Sequence, residues 1–149
     1  MTGKYAFVMM VKEKWWKRFR RNCHEGKQVQ SYVQKGIAPP KETSIILFYV
    51  TKPAAEIAGY AELIERKVGK TMKLWEEYGS ESVLLSKREY EEFMGNKQEV
   101  SFIRFTNLHE AVNAISLKCL LGLLGKRRLS RKGFYVDRET ADKMTALMR

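Results

Sequence analysis

The sequence predicts a mixed α+β fold. Two short and almost wholly apolar runs, residues 5–11 (YAFVMMV) and 44–51 (SIILFYVT), have the length and the β-branched or aromatic content of buried strands. Segments with helical periodicity and helix-capping residues lie between and after them. The length of 149 residues suits one domain, which at this size buries roughly 70% of the surface of its unfolded chain. We therefore expect a single domain over residues 1–149, with strands and helices in mixed order.

Further strands are predicted in the middle and near the end of the chain. Residues 57–68 contain Gly59 and follow a turn at Lys52, Pro53 and Ala54, so they are expected to form a strand beside residues 44–51. Two shorter candidates are residues 100–105 (VSFIRF) and 133–136 (GFYV).

Helix starts are marked by capping residues. Ser86 and Glu89 have the spacing of a capping box, and the following helix places Tyr90, Phe93 and Met94 on one face before Gly95 ends it. Three other helices are expected: residues 71–78 ended by Gly79, a helix that begins in the capping pattern of residues 107–110 and runs to about Leu121, and a last helix from the cap Asp137 to Met148.

The net charge of +11 is concentrated in two segments. Residues 12–27 contain seven basic and two acidic residues, and residues 118–138 contain seven basic and one acidic residue, so the rest of the chain is neutral. Clustered lysine and arginine are typical of a surface that binds a polyanion, because each neutralised phosphate releases condensed counterions. The alternative is a basic surface that only aids solubility or forms ion-pair networks.

The first basic segment predicts an amphipathic helix over residues 12–22. At roughly 100° per residue, a cationic stripe lies on one side and the aromatic residues Trp15, Trp16 and Phe19 lie on the other. The aromatic side is expected to pack into the core, although a tryptophan at the edge of a cleft stays open as an alternative. The stripe is a candidate phosphate-binding face or a solvated face, and its residues are Lys14, Lys17, Arg18 and Arg21.

The second basic segment predicts an exposed loop between Gly125 and Gly133. Loops on a rigid scaffold commonly carry binding groups, and the planar fork of arginine matches phosphate oxygens two at a time. The other interpretation of this segment is a flexible, solvated connector. Its candidate phosphate-binding residues are Lys126, Arg127, Arg128, Arg131 and Lys132.

Other classes of protein are disfavoured. No apolar stretch approaches the roughly 20 residues that span a bilayer, and the first residues lack the features of a secretion signal. Cys23 lies beside His24 without further ligands at zinc-site spacing, so no metal or cofactor is expected. The segment Gly69-Lys70-Thr71 lacks the upstream glycine of a phosphate-binding P-loop, and no nucleophile motif is present. The two cysteines favour a reducing compartment, the cytoplasm.

The strand and helix segments together resemble the PUA-like superfamily, which includes the PUA, ASCH, EVE and YTH domains. The phrases that carry the resemblance are ILFYV, IAGYAEL, the tryptophan helix and SKREYEEF, and they are similar to the archaeal domain of unknown function family 365. The resemblance implies a small, bent, mixed β-barrel flanked by helices, with a cleft that admits RNA or a modified base. Tyr49, Thr51 and Lys52 would lie near that cleft, with Trp16 as the candidate at its edge.

The leading hypothesis is a nucleic-acid-binding module, with RNA preferred to DNA because of the resemblance. The two basic clusters would contact phosphates and the cleft would hold a base. Two alternatives stay open: an enzyme that acts on a modified nucleoside through Lys52, Thr51 or Glu62, and an adaptor that docks on a ribonucleoprotein. The sequence does not specify the oligomeric state.

Overall fold

The computed structural model describes residues 4–149 and contains one six-stranded mixed sheet with helices on both sides. The strand order is β2-β5-β4-β3-β1-β6. The α+β architecture predicted from the sequence is confirmed. The strands are β1 (Ala6–Val11), β2 (Val29–Lys35), β3 (Ile45–Val50), β4 (Glu56–Lys70), β5 (Glu99–Ser116) and β6 (Phe134–Val136), and the helices are α1 (Glu13–His24), α2 (Thr71–Tyr78), α3 (Lys87–Met94), α4 (Leu117–Leu124) and α5 (Arg138–Met148).

The two apolar runs at residues 5–11 and 44–51 form the centre of the sheet. They pair in parallel as β1 and β3, with Ala6 opposite Ile45 and Val11 opposite Val50. A parallel pair needs a crossover connection, which α1 and β2 provide. The other ladders are antiparallel, and β6 covers only the first part of β1, with Val8 opposite Phe134 as its last pair.

The sheet is strongly bent, so its concave face encloses a core. Side chains that alternate along β1 and β3 point into this core, where Trp16 and Phe19 of α1 close it. Strand β2 curves round to β1 at the far edge, where the Tyr32 hydroxyl donates a hydrogen bond to the Met10 carbonyl at 3.2 Å. We call the gap between these two strands the seam.

The convex face of the sheet is covered by two groups of helices. Helices α4 and α5 cover β1, β3 and the end of β5, with Leu120 and Met144 fully buried among the strand residues. Helices α2 and α3 cover the other end through Leu74, Tyr90 and Met94. The loop of residues 125–133 begins where α4 of the first group ends. Helix α1 packs against the second group through Trp15.

The predicted caps of α3 and α5 are present. Ser86 accepts a hydrogen bond from the Glu89 N–H at 3.1 Å, and the Glu89 carboxylate accepts the Leu85 N–H at 2.7 Å. Asp137 likewise accepts from the Thr140 N–H at 2.9 Å. Helices α2, α3 and α5 match their predicted ranges, and α1 runs to His24, two residues past the predicted range.

Replacing the α3 cap in Ser86→Ala is expected to lower the free energy of unfolding by about 1 kcal/mol, because the Glu89 N–H loses its acceptor. A thermal melt should show a melting temperature lower by roughly 2–4 °C. Ser80→Ala is the matched control, since Ser80 is exposed and donates no side-chain hydrogen bond among residues 4–149. Equal melting temperatures for the two variants would contradict the cap.

Two sequence-based predictions were incomplete or wrong. The helix expected to begin at residues 107–110 is absent, because β5 continues as far as Ser116, which lies opposite Glu56 of β4. Asn107 takes a positive φ of 54°, and the β4–β5 register shifts near it, so this stretch is a bulged strand. Helix α4 begins only at Leu117. Strand β2 was not predicted, although its sequence VQSYVQK lies between Gly26 and Gly36.

Candidate nucleic-acid interface

The basic loop, residues 125–133, joins α4 to β6. Gly125 ends α4 in the left-handed region at φ 64°, and Gly133 enters β6 at φ 83°. The loop contains five basic and no acidic residues. Leu129 packs against the core beneath α4 and α5, so the loop is anchored in its middle while its cationic side chains are exposed.

The cations of the basic loop are not neutralised within residues 4–149. The nearby acids of α5 pair with cations of their own helix, Asp142 with Arg138 at 3.7 Å and Glu139 with Lys143 at 3.6 Å. Lys126 lies over the Phe134 ring at 5.2 Å. In this part of the chain no carboxylate contacts the loop, which leaves Arg127, Arg128, Arg131 and Lys132 free to bind an external anion.

The cationic stripe of α1 is only partly available. Arg18 donates two hydrogen bonds to the Glu89 carboxylate, at 2.7 and 3.1 Å, and a third to the Val83 carbonyl at 3.0 Å. The hydrogen bond from Arg18 lowers the pKa of Glu89, so both groups stay charged and paired. Arg18 therefore ties α1 to α3 instead of facing an external ligand.

The remaining stripe residues differ in their surroundings. Lys14 lies over the Trp15 ring at 4.7 Å, and Lys17 makes a loose 3.7 Å contact with Glu13. Arg21 is exposed, and its guanidinium contacts no carboxylate within the described residues. Lys14, Lys17 and Arg21 thus form a second cationic area, which is weaker than that of the basic loop.

The four predicted cleft residues are not brought together by the fold. Trp16 is 5% exposed and packs on Phe48 in the concave core, with ring centroids 5.3 Å apart. Tyr49 is 7% exposed and lies in the core of the convex face. Since the sheet separates the two rings, they do not line one common cleft.

Thr51 and Lys52 lie at the same end of the sheet as the basic loop. They follow the last residue of β3, where the Thr51 N–H donates to the Val11 carbonyl at 3.0 Å. Strand β6 runs antiparallel to β1, so Gly133 and the loop before it also lie at the end where β1 and β3 finish. Lys52 is exposed at this end and extends the cationic surface of the loop.

The polar groups named for a nucleoside-modifying enzyme do not converge. Glu62 lies opposite Ile45, the first residue of β3, whereas Thr51 and Lys52 follow its last residue. At about 3.3 Å per residue the strand separates the two positions by roughly 20 Å. Glu62 instead accepts a hydrogen bond from Asn107 at 2.7 Å.

The seam contains a cleft that the sequence did not reveal. It has a volume of about 380 Å³ and lies between the uncovered end of β1, the end of β2 with the turn that follows it, and the basic loop. Strand β2 forms one wall of the cleft, and the glycines that flank it, Gly26 and Gly36, are the sequence signal for this strand. The cleft is lined by Phe7, Met9, Met10, Gln34, Ile37, Ala38, Pro39, Arg131 and Lys132.

Among residues 4–149, no group of three histidine, cysteine, aspartate or glutamate side chains is placed to hold a metal ion. None of the helices in the same range is long and apolar enough to cross a bilayer. Both thiols in the described range, those of Cys23 and Cys119, are unpaired.

Solved structures share this fold. The ASCH protein of Zymomonas mobilis matches with a TM-score of 0.78 and 19% identity, over 97% of this chain and 96% of that one. A serine-to-alanine variant of the same protein matches at 0.80, over the whole of both chains with 19% identity. The fold is of the ASCH type. The PUA-like resemblance seen in the sequence is thereby confirmed at the level of the fold.

A more distant match to the ASCH-type fold is Rpa0253 from Rhodopseudomonas palustris, with a TM-score of 0.52 and 10% identity over 97% of this chain and 92% of that one. No model of a protein family matches the chain, and no curated protein matches it.

Proposed function

We propose that this chain is a nucleic-acid-binding domain whose ligand is RNA and whose main phosphate-binding element is the basic loop. The observation that carries the proposal is the contrast between the two cationic clusters. Arg18 of α1 is paired within the fold, whereas Arg127, Arg128, Arg131 and Lys132 contact no carboxylate among residues 4–149. Cations that the fold does not neutralise repel one another, and a bound polyanion removes that repulsion.

The position of the loop supports the same function. It stands at the end of the sheet with Lys52, and its C-terminal part borders the seam cleft. Phosphate contacts from the loop would place a bound strand across the mouth of this cleft. Lys14, Lys17 and Arg21 would contact the strand further along, and Arg18 would hold α1 in place.

The ASCH-type fold favours RNA over DNA, since the PUA-like superfamily that the sequence resembles has a cleft for RNA or a modified base. The finer resemblance, to the archaeal domain of unknown function family 365, forms part of this proposal. We also propose that residues 1–149 form one domain. We further propose a location in the cytoplasm, which the two unpaired cysteines support.

The test is a pair of salt titrations with a single-stranded RNA. The triple variant Arg127→Gln, Arg128→Gln, Arg131→Gln should bind more weakly than the wild type at every salt concentration. Its slope of log affinity against log salt should be shallower by up to about 2, because each phosphate contact to a single strand contributes roughly 0.7. Melting should change little, since exposed substitutions alter stability by only about 0.5 kcal/mol.

A control of equal charge separates the loop from net charge. Lys73, Lys87 and Lys97 are exposed on or near α2 and α3, away from the loop, and replacing all three with glutamine removes the same three charges. This control should keep most of the slope of the wild type. Equal slopes for the two triple variants would reject the loop as the phosphate-binding element, and absence of salt-dependent binding by the wild type would reject the function.

A further inference from the structure

The seam cleft has an unsatisfied strand edge. The main-chain groups of Met10 point away from β3, because its carbonyl accepts the hydrogen bond from Tyr32 across the seam. The N–H of a strand residue points to the same side as its C=O. Since β6 ends its pairing at Val8, the Met10 N–H faces the cleft without a main-chain acceptor among the described residues.

A side-chain amide lies opposite this edge. Gln34 of β2 lines the cleft close to Tyr32, whose pKa burial raises to about 12. An amide has two N–H donors and a carbonyl acceptor. The cleft therefore presents a main-chain donor and an amide donor and acceptor at one place.

The remaining walls are apolar on one side and cationic on the other. Ile37 is 65% exposed beside Pro39 on the turn after β2, so these two residues give the cleft an apolar wall. Arg131 and Lys132 form the opposite rim. A volume of about 380 Å³ lies within the range of roughly 300–1,000 Å³ that is typical of ligand clefts.

We propose that the seam cleft binds one unpaired base of single-stranded RNA, with its polar edge on the Met10 N–H and the Gln34 amide and its neighbouring phosphate on Arg131 and Lys132. This inference rests on the proposed function and adds the kind of RNA and the place of the base. A nucleobase edge offers alternating donors and acceptors that match an amide and a strand edge. Ile37 and Pro39 supply an apolar surface for its flat face.

The geometry favours a single strand over a duplex. A base enters the cleft only if it unstacks from the neighbouring bases. In single-stranded RNA this unstacking costs little free energy. In a duplex the polar edges that Met10 and Gln34 would contact are already paired. The cleft therefore selects single-stranded RNA over a duplex, whereas the basic loop binds the phosphates of both.

The test compares strands with and without bases. Fluorescence anisotropy would give the affinities of a twelve-nucleotide oligouridylate, an oligoadenylate of the same length, an abasic ribose-phosphate strand and an RNA duplex. The wild type should prefer at least one base-bearing strand to the abasic strand by about tenfold, the scale of a single well-held base. Gln34→Ala and Ile37→Ser should each reduce this preference at least about threefold and leave the affinity for the abasic strand unchanged.

Gln98→Ala is the matched control, because Gln98 is exposed just before β5 and lies outside the cleft. Ile37→Ser tests the cleft even if Gln34→Ala fails to fold, because Ile37 is mostly exposed and its replacement should not affect folding. Full preference for base-bearing strands in both cleft variants would overturn the base site. Equal affinity of the wild type for base-bearing and abasic strands would also overturn it, with the loop function intact. Loss of salt-dependent binding to every probe would reject both.

Discussion

Phe19→Ala should lower the free energy of unfolding by about 3–5 kcal/mol, the largest change we expect from a single substitution in this chain. Phe19 has no exposed surface, and its ring packs edge-to-face on Phe105 with centroids 5.1 Å apart. It also contacts Tyr32 and Phe48, so one ring joins α1 to three strands of the concave core. Truncation leaves a cavity that a core of rigid aromatic rings fills poorly.

The measurement is chemical denaturation of Phe19→Ala beside Leu85→Ala. Leu85 is 75% exposed, so its truncation should change stability by only about 0.5 kcal/mol. Trp16→Ala should behave like Phe19→Ala, because Trp16 packs on Phe48 in the same core. If Trp16→Ala kept the melting temperature of the wild type but lost RNA binding, Trp16 would belong to the ligand site and the core assignment would be wrong.

Much of the fold follows from local sequence signals. Residues 6–11 and 45–50 are apolar throughout because both faces of β1 and β3 are buried, and continuous apolar runs of that length are typical of such strands. The caps at Ser86 and Asp137 act over three residues, so they are visible in sequence. The basic loop was recognisable because glycines flank a run of cations.

The features that the sequence did not reveal are decided by distant partners. Residues 107–116 have spacings compatible with a helix, yet pairing with β4 keeps them extended. Arg18 belongs to the cationic stripe by its spacing, but Glu89 lies 71 positions away and its pairing is invisible in the sequence. The seam cleft likewise depends on β1 meeting β2 at the edge of the bent sheet, which no local pattern encodes.

Gly133→Ala should destabilise the fold by about 3 kcal/mol through the junction of the basic loop with β6. A positive φ of 83° costs a residue with a Cβ roughly 1–2 kcal/mol, and crowding of a packed site costs about 1–3 kcal/mol more. The new Cβ would lie 2.5 Å from the Val8 carbonyl oxygen and 2.6 Å from the Phe7 ring. Neither neighbour yields easily, since one is strand backbone and the other is a buried ring.

Gly122→Ala provides the opposite control. Gly122 lies within α4, its added Cβ would meet no atom within 4 Å, and its φ is not positive. Alanine there should raise stability by about 0.5–1 kcal/mol, because it favours the helix. Thermal melts of the two variants should therefore move in opposite directions from the wild type. If Gly133→Ala had the same melting temperature as the wild type, β6 would be able to move away from β1 at little cost in free energy. The basic loop would then not be held rigidly beside the seam cleft.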